Sequence, residues 1–249
     1  MADEPRILLL DIETRPNLGY IWGLWQQDIG LHALVEVCEV ICFAAKWLGK
    51  PRVEFYSVHD HGKDEMVLNA HRLLDEADAI MSYNGKSFDM PHLNREFLLA
   101  GLTPPSPYKQ IDLFLTIKRQ FNFPSNKLAY VSKALGLSGK ASHEGFELWV
   151  KCMAGDEKAW ATMRKYNKRD VTLLEELYEK LRPWVVNHPS FAAITGNDET
   201  CPSCGSEDLQ RRGFAYTAQT AYRQYQCQAC GRWSRGTKRE YGVTIREIA

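Results

Sequence analysis

Two cysteine knuckles constrain the C-terminal end of this 249-residue chain more tightly than any other feature does. Cys201-Pro202-Ser203-Cys204-Gly205 and Cys227-Gln228-Ala229-Cys230-Gly231 repeat one pattern inside residues 201–249. A segment of that size buries too little apolar surface to fold alone, so a metal or cross-links must stabilise it. Four thiolates suit a tetrahedral Zn2+, and a glycine after each second cysteine lets the backbone turn back toward the metal. The 22 residues between the pairs slightly exceed the usual spacing of paired CxxC zinc sites. The pattern predicts one structural Zn2+ on Cys201, Cys204, Cys227 and Cys230, with ribbon strands at Tyr222 to Gln226 and Trp233 to Ser234. An iron–sulfur or redox centre is the alternative. Seven cysteines in all is an odd number for a disulfide framework, and Cys38, Cys42 and Cys152 lie in apolar or helical surroundings that suit small core residues.

Charge divides the chain at the same place. Residues 201–249 hold eight Lys and Arg against four Asp and Glu, whereas residues 1–200 hold 23 against 27, so a zero net charge conceals a basic tail on an acidic body. Such a division suits a protein that gathers cations at one place and phosphate at another. With 45% hydrophobic and 25% charged residues the composition is that of a folded globular chain. No apolar run approaches the ~20 residues of a membrane span. The acidic start, Met1-Ala2-Asp3-Glu4, does not match a secretory signal, so a cytoplasmic, intracellular protein with no membrane association is expected.

Hydrophobic periodicity then orders the body. Arg6 to Ile12 reads as a strand apolar on both faces. Val37 to Lys46 and Arg52 to Val58 read as two more strands, joined by a turn at Leu48-Gly49-Lys50-Pro51. Lys63 to Glu76 has helical spacing, Ala79 to Tyr83 is a short strand ended by Asn84-Gly85, and Phe88 to Ala100 is a second helix. Tyr108 to Asp112 gives a fifth strand, and the rest up to Arg182 is mostly helical, clearest over Tyr166 to Leu181. Strands first and helices later predict an α/β fold, a mixed sheet flanked by helices. The expected division is a domain over residues 1–186, a polar linker over 187–200 and the cysteine module over 201–249.

Three short segments of the body carry acids in informative places. Asp11 and Glu13, two apart at a strand end, project from one face and repel each other unless a cation lies between them. Asp89 follows the Asn84-Gly85-Lys86-Ser87-Phe88 junction at a helix start, where a helix dipole alone would also favour it and Ser87 could cap. Tyr166 and Asp170 share a helix face beside Leu173, Leu174 and Leu177, and a buried carboxylate there needs a metal, an arginine or a helix end as partner.

Taken in order, these segments resemble the three sequence blocks of the DEDD exonucleases, the proofreading, DnaQ-like branch of the ribonuclease H-like fold. Asp11-Ile12-Glu13-Thr14 matches the first block, Asn84 through Phe88-Asp89 the second, and Tyr166-x-x-x-Asp170 the third. The third block is of the tyrosine (DEDDy) variety, since Lys165 stands where the histidine variety would place its histidine. The resemblance spans roughly residues 5–182. It implies a ribonuclease H-like mixed five-stranded sheet, and a 3′–5′ exonuclease acting on the 3′ end of single-stranded DNA or RNA, DNA slightly favoured. It also implies two Mg2+ (or Mn2+) ions on Asp11, Glu13, Asp89 and Asp170, with Asp11 bridging. Tyr166 would orient the attacking water; Thr14, Asn84 and Phe88 would approach the terminal nucleotide. Asp112, in Ile111-Asp112-Leu113, is expected to cap or support rather than to bind metal.

Several features stay open at the level of sequence. Trp22, with Tyr20 and Trp25, either stacks on bases or closes the core beside the sheet. Lys86, Lys118, Arg119 and Lys127 either meet phosphates or are solvated. The seven histidines have no ligand-like spacing, His143 being the one to watch. The basic, aromatic cysteine module is either a nucleic-acid grip, a solvated face or a protein-docking surface. Two rival functions are a nucleic-acid-binding adaptor with weak or no turnover and a ribonuclease H-type endonuclease. A polymerase or another replication or repair protein is the expected protein partner, because no polymerase segment is present.

Overall fold

The apolar run that opens the chain is the middle of a sheet. In a computed structural model, which describes residues 5–26, 28–137, 139, 144–186 and 188–245, strand β1 (Ile7–Thr14) is followed by a short antiparallel pair, β2 (Leu18–Gly19) and β3 (Leu34–Glu36). Strands β4 (Val40–Trp47) and β5 (Val53–Ser57) come next, then helix α1 (Lys63–Asp75), β6 (Ala79–Ser82), α2 (Asp89–Leu99) and β7 (Lys109–Asp112). Helices α3 (Leu113–Gln120), α4 (Leu128–Ala134), α5 (Phe146–Met153) and the 25-residue α6 (Glu157–Leu181) complete this part. The sheet order is β5-β4-β1-β6-β7, antiparallel from β5 to β1 and parallel from β1 to β7. The mixed five-stranded sheet flanked by helices is therefore as expected. The helix over Tyr166 to Leu181 begins nine residues earlier than its leucine stripe alone suggests.

Strand alternation assigns the two faces of β1. Leu8, Leu10 and Ile12 join Met66, Leu73 and Leu74 of α1 and Met90, Leu93 and Phe97 of α2 in one buried cluster. Leu9, Asp11 and Glu13 point the other way, beside Lys46, Ala44 and Cys42 of β4. On that face the buried Lys46 donates to Glu175 Oε2 of α6 at 2.5 Å, and Gly49 N donates to Glu175 Oε1 at 2.8 Å. One carboxylate thus ties α6 to both β4 and the turn after it. Lys46→Met, which leaves Glu175 without its cation, should cost roughly 3 kcal/mol of unfolding free energy in a urea titration. A loss below ~1 kcal/mol would mean that the pair contributes nothing beyond packing.

The chain divides into two compact units, Arg6–Leu177 and a second beginning at Tyr178. The stretch expected as a linker carries helix α7 (Phe191–Thr195), capped by Ser190 and tied to the first knuckle by Phe191 N donating to Pro202 O at 2.7 Å. Strands β8 (Leu209–Tyr216), β9 (Thr220–Cys227) and β10 (Trp233–Gly242) form an antiparallel sheet in the order β10-β9-β8. Both expected ribbon strands are present and longer than expected; β8 is an addition, since its Arg211-Arg212-Gly213 lacks a strand-like pattern. Arg232 donates to the carbonyls of Pro183 and Val185 at 3.0 and 2.5 Å, fastening the ribbon to the turn that follows α6.

Candidate active site

The parallel strands β1 and β6 stay paired only as far as Leu9 and Met81. Beyond that point β6 turns away at Asn84-Gly85, and β1 runs on to Thr14 along β4. The parting leaves Ile12 N without a strand partner on the β6 side, and Asp89 supplies one: its Oδ1 accepts from Ile12 N at 3.1 Å. Ile12 stands between Asp11 and Glu13, so that bond brings the Asp89 carboxylate, from the first turn of α2, to the catalytic-looking pair on β1. Crevices at the carboxyl ends of parallel strands are where sheets of this type bind ligands.

Helix α6 brings the other two groups. Tyr166 and Asp170 are buried, on the side of the helix that also buries Leu173, Leu174 and Leu177. The Tyr166 phenol is hydrogen-bonded to Asp170, and its pKa is raised first by burial and then by the charges of Glu13, Asp170 and Asp11. Those three carboxylates therefore all act on one phenol, which stays protonated. Trp149 of α5 stands edge-on to its ring at 6.2 Å. Beneath the acids, Cys42 pairs with Glu13 across β1 and β4, and burial followed by Glu13 and Asp11 pushes its thiol far up, so it is an inert core residue as expected.

Asp89 is 4% exposed, and burial raises its pKa to about 7 against the lowering effect of the Ile12 N–H. A folded-state pKa above the unfolded carboxylate value of about 4 means the folded chain holds the proton more tightly. Without divalent cations, stability should therefore fall as pH rises from about 4 toward 7. Asp89→Asn, which keeps an acceptor for Ile12 N, should flatten that part of a stability profile measured by urea melts. A profile identical to that of the unmodified chain would refute the assignment.

Two further polar groups shape the site: Asn167, which the sequence did not point to, and Asp112, which was expected to cap or support. Asn167, fully buried, donates through Nδ2 to Asp11 Oδ2 at 2.6 Å and to Asp11 O at 3.2 Å. It fixes the rotamer of the first acid from the residue next to Tyr166; an amide amid the apolar stripe of α6 was the available signal. Asp112 is the N-cap of α3, accepting from Phe114 N and Leu115 N, and it also accepts from Asn84 N at 2.9 Å and Lys86 N at 3.3 Å. The expected supporting role is thus filled, and it extends to the turn before Asp89. That turn is tight: Asn84 has φ 69°, and a Cβ on Gly85 would lie 2.2 Å from Ser82 Oγ. Ser87 does not cap α2, whose N-cap is Phe88 without a side-chain bond.

The other residues expected to meet substrate have different surroundings. Asn84 lines an open cleft of about 530 Å³ together with Tyr83, Phe114, Asn126, Lys127 and Leu128. Phe88 is exposed and stands edge-on to His92 at 4.7 Å, and Thr14 pairs with Val40 past a break in register. Trp22, Tyr20 and Trp25 are 103%, 81% and 84% exposed, so they do not close the core. His143 lies outside the described residues.

The second unit carries its own candidate centre. The Sγ atoms of Cys201, Cys204, Cys227 and Cys230 all lie within 4.8 Å of one another, with 3.7 Å between Cys201 and Cys230 and 3.6 Å between Cys204 and Cys227. A tetrahedron with ~2.3 Å metal–sulfur bonds has edges of roughly 3.8 Å, so the sulfurs fit zinc. Burial opposes ionisation of Cys227, but the backbone N–H groups of Cys230 and Ala229 bring its pKa down to about 7.

Comparison with known proteins places the body. A search of curated proteins finds no match. Among solved structures, a family B DNA polymerase from the hyperthermophilic archaeon Pyrobaculum calidifontis is similar, with a TM-score of 0.55 and 19% identity over 73% of this chain. The match covers 25% of the polymerase, so this chain corresponds to about a quarter of that protein, and the likeness is one of fold. Among the described residues no helix is long and apolar enough to cross a membrane. Residues 8–182, which contain every carboxylate described above, match the RNase H superfamily, and the chain belongs to that superfamily.

Proposed function

We propose that this chain is a 3′–5′ exonuclease that hydrolyses the terminal phosphodiester of a single nucleic-acid strand, DNA in preference to RNA, with two divalent cations. The observation that carries the proposal is the gathering of acids from three distant segments: Asp11 and Glu13 on β1 and Asp170 on α6 act on one protonated phenol, and Asp89 on α2 is bonded to the backbone N–H of Ile12 between the first two. Membership of a superfamily of nucleases and the likeness to a DNA polymerase support it.

The donors are all hard oxygens, which fit Mg2+ or Mn2+. Asp11 would belong to both cation sites, with Glu13 and Asp170 completing one and Asp89 contributing to the other. Bound there, the cations supply an activated water and neutralise charge on the leaving 3′ oxygen. The chain's own residues position the reactants. Tyr166, kept protonated by burial and by its acidic neighbours, orients the attacking water and is no general base. Asn167 holds Asp11 in one rotamer. Asp112 holds the Asn84 to Lys86 turn, so that Asn84 and Phe88, with Thr14 and Trp22, meet the last nucleotide.

The test mixes purified protein, Mg2+ and a 5′-labelled single strand in matched DNA and RNA forms. A ladder that shortens from the 3′ end, faster on DNA, is the expected result. An intact label with a mobility shift alone would identify an adaptor, and cleavage of a circular strand would identify an endonuclease.

A further inference from the structure

We propose that one face of the ribbon sheet is a docking surface for a single strand of DNA, with its arginines on phosphates and with Trp233 and Tyr222 under bases. Residues directly opposite in an antiparallel sheet share a face. Gln210 on β8 faces Gln226 on β9, which faces Trp233 on β10; Arg235 faces Gln224, and Arg239 faces Tyr222. Ring contacts confirm the assignment: Arg212 lies 5.8 Å from the centre of Trp233, and Arg235 lies 4.5 Å from that of Tyr222. The face thus combines three arginines, two rings and neutral amides. Arg212, Trp233, Arg235 and Arg239 are all exposed.

The opposite face is different in kind. Phe214 stands edge-on to Tyr241 at 5.4 Å, Arg223 lies 4.7 Å from the Phe214 ring, and Glu240, the one carboxylate of the three strands, accepts from Arg223 at 3.3 Å. On that side Glu240 takes up the charge of Arg223, and Arg211 is the other arginine. The proposed face has no carboxylate, so its positive charge is available to a partner.

The chemistry of the face selects the partner. Guanidinium groups over rings leave flat platforms on which unpaired bases stack, and the phosphates of such a strand match the arginines. A duplex hides its base faces, and an acidic peptide has no use for the rings. Backbone contact and stacking suit a strand bound without regard to sequence, as an exonuclease requires. The choice of DNA rests on the function proposed above for the body.

Binding of a fluorescent 20-nucleotide thymidine strand to the full, zinc-loaded chain, measured by anisotropy without added magnesium, tests this directly. Arg212→Gln with Arg235→Gln should raise Kd at least ~10-fold and lower the slope of log Kd on log salt by about 1.4, two phosphates' worth. Trp233→Leu should raise Kd about 10-fold with the slope unchanged. Arg211→Gln with Arg223→Gln removes equal charge from the other face and should change Kd less than ~2-fold. One zinc per chain in each variant confirms that the ribbon is folded. Equal losses from the two arginine pairs, full affinity in the first pair, or tighter binding of a uridine strand or a polyglutamate peptide would each overturn the proposal. The readout needs no cleavage. A chain that binds through this face but shortens no strand refutes the exonuclease alone, and one that shortens strands but ignores Arg212 and Arg235 refutes the docking face alone.

Discussion

Asp11→Asn is expected to slow hydrolysis of a 5′-labelled single strand by at least ~10³-fold while leaving the fold intact. Asparagine keeps an acceptor for Asn167 Nδ2, which now meets Asp11 Oδ2 at 2.6 Å, so the packing of α6 on β1 survives. What is lost is one negative charge from a cluster whose members raise the pKa of Tyr166 together. In the absence of cations the variant should melt no lower than the original chain, because like charges that repel become fewer. Asp170→Asn, buried on α6, should behave the same way in both measurements. A gel assay and a thermal melt on the same preparation separate the two effects. Activity within ~10-fold of the original in either variant would show that these acids do not hold the reacting centre.

Loss of the zinc that Cys201, Cys204, Cys227 and Cys230 would hold should unfold the cysteine module and leave the body standing. Among the described residues from 201 onward, the buried apolar ones are Cys201, Ala221 and Cys227, so the cysteines are themselves most of the core. A structural zinc contributes about 10–16 kcal/mol to a module of this size at neutral pH, more than any other interaction available to it. Chelation, or Cys227→Ser, should therefore open Arg211, Arg212 and Arg223 to trypsin at least ~100-fold faster, while the fragment spanning residues 6–177 persists. Mass spectrometry of the digest gives both rates. Unchanged cleavage of the ribbon after complete loss of metal would mean that strand pairing alone holds it.

The sheet and its helices were legible because their signals are local. A short run such as Ile7-Leu8-Leu9-Leu10, bounded by charges, suits a strand covered on both faces, and the spaced leucines of α6 suit a helix stripe. Boundaries were less legible: α6 begins at Glu157, where Ala159, Trp160 and Met163 supply the buried face in place of the leucines that mark the rest of the helix. Strand β8 escaped notice because its pairing with β9, broken around Gly213, is a matter of register and not of composition. The exposure of Tyr20, Trp22 and Trp25 was equally hidden, since aromatic residues in an irregular segment fit a core seal or an open surface alike.

The sequence by itself determined the chemical inventory: the acids at Asp11, Glu13, Asp89 and Asp170, the tyrosine four residues before the last of them, and four cysteines in two knuckles. Identity and spacing suffice for these, because which atoms can bind a hard cation or a zinc ion is a property of side chains. Only the tertiary structure decided how they are held. Asp89 reaches Ile12 N across 77 positions, Asn167 reaches Asp11 across 156, and Asp112 secures the turn at Asn84 from 28 residues away. The faces of the ribbon, one with Glu240 on Arg223 and one with arginines and no carboxylate, likewise depend on register between strands. Such contacts arise where separate elements meet, and no local periodicity encodes that meeting.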